Sequence, residues 1–236
     1  GGTMSAKINV LDVNIDNCTA KEAMKKAVEY LASEPVNTIE ILTADALMRL
    51  PEAADVKEEL EQFDLVLAGD RMILEAVGVE NRKSLQETEG YVFLRMFLRY
   101  LHKNHKRVYL LVESEEAGQR FYDYLEQNCS GIQVVGMAKV SASDRADDML
   151  VNAINGGEVD CVISALEPPL QEDFIIQNRA LLNTALWVGL GSEMFPVRER
   201  NFAGGKISQF LIKLIFKKEI EKWHVKKRGW CGISRM

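Results

Sequence analysis

A handful of polar residues stand where apolar runs of this chain break off, and chemistry is expected there. Thr43 and Asp45 follow the run 38–42, and Asp70 follows the run 64–68. Gln171 and Glu172 follow Cys161–Ala165 across Pro168 and Pro169, while Gly189, Gly191, Ser192 and Glu193 follow the run 184–188. Short apolar runs closed by turn residues have the length of buried strands. In open parallel sheets ligands bind at the carboxyl ends of such strands. Hydroxyl, carboxamide and carboxylate groups gathered there suit a polyhydroxylated, phosphorylated ligand. Asp70 is the candidate general base, able to take the proton of a substrate hydroxyl. Each residue also has a plainer reading. Asp70 can cap a helix starting at Arg71, Gln171 and Glu172 can be first-turn residues favoured by a helix dipole, and Gly189-Leu-Gly191 can be a turn.

Other chemistries find no footing. There is no Gly-x-x-x-x-Gly-Lys loop, no complete Gly-x-Gly-x-x-Gly and no Gly-x-Ser-x-Gly. His102, His105 and His224 lie in basic, polar context without a partner at metal-ligand spacing, so all three are expected to be solvated and no metal or cofactor is expected. Cys18, Cys129, Cys161 and Cys231 are scattered, with no Cys-x-x-Cys pair, which points to a reduced, cytoplasmic protein without disulfides or zinc. Gly1–Thr3, ahead of Met4, read as an expression scar; no signal peptide follows, and no apolar run approaches the ~20 residues that span a bilayer.

The elements that must position these groups alternate. Lys7–Ile15 reads as a strand, and Thr19-Ala-Lys-Glu22 as a capping box opening a helix that ends at Pro35. Strands are expected over 38–42, 64–68, 107–112, 132–135, 161–165 and 184–188. Helices are expected near 56–62, 72–77, 91–101, 115–127, 145–154 and from Pro169 to about Leu182, and the polar stretch 80–89 reads as a mobile loop. This is an α/β pattern: a Rossmann-like, mostly parallel sheet with helices on both faces. One domain, residues 4–205, is expected, followed by an appendage, residues 206–236, hinged at Gly204-Gly205.

Charge sets the appendage apart. The chain carries −6, but from Lys206 onward nine Lys or Arg face two Glu, giving +7 and leaving −13 on the first 205 residues. Ile207, Phe210, Leu211, Leu214 and Ile215 share a helical face flanked by lysines, and Trp223, Trp230 and a basic run at 226–228 follow. Two readings stand: an interfacial helix drawn to anionic lipid, or a terminal helix docked on the body or on a second subunit. A nucleic-acid partner is disfavoured, because the acidic body would oppose a phosphate backbone.

The order and content of these segments resemble the WecG/TagA/CpsF family of bacterial glycosyltransferases, from Ile8 to about Gly191. The matching pieces are Ile8-Asn-Val-Leu-Asp-Val-Asn-Ile15, Thr43-Ala-Asp45, Asp64-Leu-Val-Leu67, Arg107-Val-Tyr-Leu-Leu111, and Pro169-Leu-Gln171-Glu172 leading to Asn178-Arg179. The resemblance implies transfer of N-acetylmannosamine from a UDP donor to a lipid-linked N-acetylglucosamine, inverting and metal-free, by an enzyme peripheral to the inner face of the membrane. It implies Asp70 as base, with Thr43, Asp45, Gln171, Glu172, Gly189 and Gly191 binding substrate. The departures are specific. The family's Thr-x-Asn is Thr43-Ala-Asp45, and its Pro-Asp-Gly falls on Ala68-Gly69-Asp70. Its Arg-Val-Thr-Gly falls on Glu87-Thr88-Glu89-Gly90, its Gly-Gly on Val112-Glu113, and its Gly-Leu-Gly on Ala165-Leu166-Glu167. Carboxylates at 87, 113 and 167 would repel a diphosphate, so an alternative is a catalytically eroded member acting as a binding or scaffold protein.

Overall fold

The computed structural model describes residues 6–51, 54–143, 145–198 and 204–233. Gly1–Thr3 lie outside these, as do the side chains of Lys206, Trp230 and Cys231. In chain order the elements are β1 (Ala6–Val10), β2 (Val13–Asn17), α1 (Ala20–Leu31), β3 (Asn37–Leu42), α2 (Ala44–Arg49), α3 (Ala54–Leu60), β4 (Leu65–Ala68), α4 (Arg71–Ala76) and α5 (Arg82–Glu89). They continue as α6 (Val92–Lys103), β5 (Arg107–Val112), α7 (Glu115–Asn128), β6 (Gln133–Lys139), α8 (Asp147–Gly156), β7 (Cys161–Ala165), α9 (Leu170–Asn178), β8 (Leu186–Gly189) and α10 (Gly204–Ile233).

Six strands form one parallel sheet in the order β4-β3-β8-β7-β5-β6, as the alternation of apolar runs and helices predicts. Strands buried on both faces read as near-continuous apolar runs, and β7 and β8 are buried at every residue. On one face α1, α6 and α7 pack Ala23, Ala27, Phe97, Leu98 and Phe121 against Ile39, Ile41, Leu110 and Ile163. On the other, α2, α8, α9 and α10 pack Leu47, Ile154, Phe174 and Phe216 against Leu42, Val66, Val162 and Trp187. Side chains alternate between faces along a strand, so Glu40, between Ile39 and Ile41, points to the α9 face.

Four expectations change. Lys7–Ile15 is not one strand but the hairpin β1–β2, turned at Leu11 and Asp12 with φ of 50° and 65°. Positive φ at both central residues is what a two-residue hairpin turn demands; Leu-Asp lacks the glycine that usually announces it. Residues 82–89 form α5 rather than a loop, because Asn81 accepts the Ser84 N–H at 3.2 Å as its cap and Leu85 is buried. His102 is not simply solvated: its Nδ1 accepts the Gly131 N–H at 2.7 Å, clasping the turn between α7 and β6. Finally, Gly204 and Gly205 are the first two residues of α10.

α10 carries two apolar stripes. Phe216, Ile220 and Trp223 are buried against the body, and Trp223 Nε1 donates to Asp12 Oδ1 at 3.0 Å, locking the helix to the hairpin turn. Ile207, Phe210, Leu211, Leu214 and Ile215 are all exposed. The docked stripe is therefore not the one whose periodicity stands out in the sequence. No helix among the described residues is long and apolar enough to cross a membrane.

Candidate active site

A cleft of about 290 Å³ opens where β3 and β4 end. The two strand ends are tied by the Gly69 N–H, which donates to Leu42 O at 2.7 Å. β3 runs directly into α2, whose N-cap is Thr43, its Oγ1 accepting the Ala46 N–H at 3.1 Å. Asp70 occupies the N-cap position of α4 but makes no capping bond there. Its Oδ2 instead accepts the Ala44 N–H at 2.6 Å, in the first turn of α2. The reading of Asp70 as the cap of α4 thus gives way: the carboxylate reaches across to a first-turn N–H of α2, that of Ala44 beside Thr43. Burial, and then the Asp45 carboxylate, push the Asp70 carboxyl above the ordinary carboxylate range, while the Ala44 N–H and Arg198 hold it down. Partial burial with one strong donor leaves a carboxylate with proton affinity to spare, which a general base needs.

Thr43, Asp45 and Asp70 line this cleft together with Arg49, Arg198 and Tyr91, and Ser208, Gln209 and Ile212 of α10 add a further wall. Arg49 Nε lies 3.0 Å from Asp45 Oδ2, one helical turn away. The Arg198 guanidinium lies 5.9 Å from the centroid of the Tyr91 ring. Tyr91 itself is left-handed, with φ of 53°. Of the cations that could meet a leaving diphosphate, Arg95 does not line the cleft: its Nε donates to Gly90 O at 3.1 Å and its guanidinium covers the Phe195 ring at 4.5 Å.

Gln171, Glu172 and Gly189 lie beneath the cleft. Gln171 is 1% exposed and Glu172 is fully buried. The Gln171 carboxamide joins two strand ends to the interior of a third strand. Its Oε1 accepts the Leu166 N–H at 3.2 Å, beyond β7, and the Gly191 N–H at 3.1 Å, beyond β8, and its Nε2 donates to Glu40 Oε1 on β3 at 2.9 Å. Gly189 is the register partner of both Glu40 and Ser164. A Cβ there would stand 2.7 Å from Gln171 Nε2, so the missing side chain is the room the carboxamide occupies. Gly191 has φ of +75°, a conformation that glycine alone adopts freely. Burial holds the Glu40 carboxyl well above the ordinary range and Glu172 pushes it further; burial raises Glu172 as well. The two are electrostatically joined, yet Glu40 Oε2 and both Glu172 oxygens have no hydrogen bond of ordinary geometry.

A second group of carboxylates sits at the ends of β5 and β7. The helices that follow these neighbours, α7 and α9, pack on opposite faces, which makes the gap between them a switch point where α/β sheets bind ligands. Here two carboxylates flank it: the Glu167 N–H donates to Glu113 Oε1 at 2.5 Å. Burial chiefly, then Glu167 and Glu193, push the Glu113 carboxyl up to about 7, against Arg49 and the Glu167 N–H. Arg49 Nη1 stands 4.0 Å from Glu167 Oε1, linking this group to Asp45 and the cleft. Glu87 stays out of the cleft: its Oε2 accepts the Ala20 N–H at 2.8 Å at the start of α1, where a helix dipole favours negative charge.

Sequence reasoning passed over Arg49, Arg198, Tyr91 and Glu40. Arg49 was within reach, four residues after Asp45 on one helix face. Glu40 gave no signal, since a charged residue inside an apolar strand reads as facing water.

Comparison with known proteins bears on this arrangement. A family profile described as Glycosyl transferase WecG/TagA/CpsF family matches residues 8–196. The N-acetylglucosaminyldiphosphoundecaprenol N-acetyl-beta-D-mannosaminyltransferase of Staphylococcus aureus strain MRSA252 is 22% identical over 209 residues, covering 86% of this chain and 78% of its own length. The protein of the same name from strain MW2 is 22% identical over 240 residues, covering 98% and 89%. The matched segment spans β1 to the loop beyond β8 and contains Thr43, Asp70 and Gln171. The chain belongs to the glycosyl transferase WecG/TagA/CpsF family.

Proposed function

We propose that the protein transfers N-acetylmannosamine from a UDP donor to a lipid-linked N-acetylglucosamine, in the cleft at the ends of β3 and β4. The observation that carries this reading is Asp70, aimed across at α2, half-buried, with its carboxyl raised above the ordinary range. Asp70 takes the proton of the acceptor hydroxyl as its oxygen bonds to the anomeric carbon. The bond from that carbon to the diphosphate oxygen breaks, UDP departs, and the configuration inverts. Thr43 and Asp45 hold donor hydroxyls. Arg49 and Arg198, the guanidiniums lining the cleft among the described residues, face the leaving diphosphate. Gln171, Glu172 and Gly189 are buried below the cleft, where Gln171 holds the ends of β7 and β8, while Gly191, partly exposed beyond β8, contacts substrate in this reading. No metal is assigned a role.

The acceptor of the named relatives carries a long lipid, and the exposed stripe of α10 suits peripheral attachment to an anionic inner membrane face. Ile207, Phe210 and Leu214 enter the interface while Lys213, Lys217 and Lys218 meet anionic headgroups. Residues 206–236 serve in this reading as the appendage of one α/β domain. Deleting α10 is a poor test, since it would strip Phe216, Ile220 and Trp223 from the body. Phe210→Ser with Leu214→Ser leaves that docking intact. The double variant should sediment with anionic vesicles much less than the unaltered protein, and equal sedimentation would remove the membrane reading.

A second reading, a scaffold whose catalytic constellation has eroded, is favoured by the carboxylates flanking the β5–β7 gap. A transfer assay separates the two. With UDP-N-acetylmannosamine and a short-chain lipid diphosphate acceptor, the enzyme makes disaccharide product and Asp70→Asn does not. Absence of product and of donor hydrolysis from the unaltered protein would favour the scaffold.

A further inference from the structure

Beneath the cleft, the row Glu40–Gly189–Ser164 runs across β3, β8 and β7 on the face covered by α9, and all three residues are buried. Gln171 fills the space above Gly189. Because its Oε1 accepts two backbone N–H groups, its amide can point only one way: flipped, the NH2 would face two donors. That leaves Nε2 directed into the protein interior, where the acceptor it meets is Glu40 Oε1. The carboxamide has no exposed route to water, being 1% accessible. Its geometry therefore depends on an acceptor that β3 supplies.

What the carboxamide fixes is part of the cleft. Leu166 immediately precedes Glu167, which contacts Arg49. Gly191 opens the segment that carries Glu193 and Arg198 to the cleft wall. We propose that Glu40 is a positioning residue of this site: it orients the Gln171 carboxamide, and through it sets the ends of β7 and β8 and the cleft residues they carry. Glu40 touches no substrate. Its effect on ligand binding rests on the sugar-nucleotide reading above; its effect on the strand ends does not.

The test compares Glu40→Leu with Glu40→Gln. Gln keeps an acceptor oxygen for Gln171 Nε2, and Leu removes it. Glu40→Leu leaves the buried Gln171 Nε2 without an acceptor and costs stability, so the deciding readout is where in the chain exchange rises, not whether the variant is weaker. Amide hydrogen exchange of the full chain is the first readout. Glu40→Leu should speed exchange about tenfold or more in peptides covering Leu166–Glu167 and Gly191–Arg198, with other sheet peptides unchanged and Glu40→Gln like the unaltered protein. UDP titration is the second, with affinity falling about tenfold in Glu40→Leu and restored in Glu40→Gln. The proposal is overturned by exchange that stays unchanged in Glu40→Leu, by a rise spread over the whole sheet, or by Glu40→Gln matching Glu40→Leu. Should Glu40→Leu fail to fold, Glu40→Val, a smaller strand-forming residue that likewise lacks an acceptor, takes its place and must speed the same two peptides, with the same outcomes overturning the proposal. If unaltered protein binds no UDP, the sugar-nucleotide reading fails, and the exchange pattern still decides the role of Glu40.

Discussion

The ends of β3 and β4 and the ends of β5 and β7 face the same side of one sheet, and each carries an acidic residue just past the strand. At β4 the acid is Asp70, held by a single N–H from Ala44 and open to a cleft with two guanidiniums. At β5 and β7 the acids are Glu113 and Glu167, and the Glu113 carboxylate accepts the Glu167 backbone N–H at 2.5 Å. Both Asp70 and Glu113 have carboxyls raised first by burial. The difference lies in the neighbours. Asp70 faces Asp45 on one side and Arg198 on the other, whereas Glu113 faces two further glutamates with Arg49 as the opposing cation. Under the proposed function the first arrangement suits a base that takes a proton, and the second resists anions. What separates the two strand ends is the charges set beside each carboxylate rather than the carboxylate itself.

The largest effect expected from breaking this comparison is at Asp70. Asp70→Asn keeps the shape and an acceptor for the Ala44 N–H but cannot take a proton, so turnover should fall by roughly 10²- to 10⁴-fold. UDP affinity, read by calorimetry, should change by less than about threefold. Equal losses in both would make Asp70 a binding residue. Next comes the obstructive pair. Glu113→Gln with Glu167→Gln removes like charge at the switch point, and UDP should bind about tenfold tighter at pH 8. Unchanged affinity would show that the diphosphate does not approach this gap.

The pH dependence is smaller and has a definite sign. Glu113 is raised from 4.5 to about 7 in the folded protein. A carboxyl raised on folding contributes stability that is fully present below its unfolded pKa and is lost as pH rises through the folded one. The melting temperature of the unaltered protein should therefore fall, relative to Glu113→Gln, between about pH 4.5 and about pH 7. A constant difference across that window would mean that Glu113 titrates normally. The smallest change expected is from Arg49→Ala, which removes a cation that lowers the Glu113 carboxyl. It should move that midpoint slightly further up and weaken UDP binding by about threefold.

The sheet was legible because strands buried on both faces leave apolar runs, and Cys161–Ala165 and Leu186–Gly189 are buried throughout. Asp70 was legible as a polar residue at a strand end, with its role open between cap and base. The direction of its carboxylate was not, since that depends on Ala44, 26 residues earlier. Glu40 was hidden for a related reason: its acceptor role is set by Gln171, 131 residues away, and by the gap over Gly189. On α10 periodicity identified an apolar face, but the helix has two, and only the shape of the body decides which docks.

A calorimetric titration with UDP at about pH 6 and about pH 8 decides whether these strand ends hold a sugar nucleotide. Micromolar binding is expected at the lower pH, where Glu113 is largely protonated, and several-fold weaker binding at the higher. The titration is repeated on the Glu113→Gln, Glu167→Gln double variant, for which binding should be tighter than in the unaltered protein and nearly independent of pH. Absence of binding at both values, in the double variant as well, would contradict a sugar-nucleotide site at these strand ends.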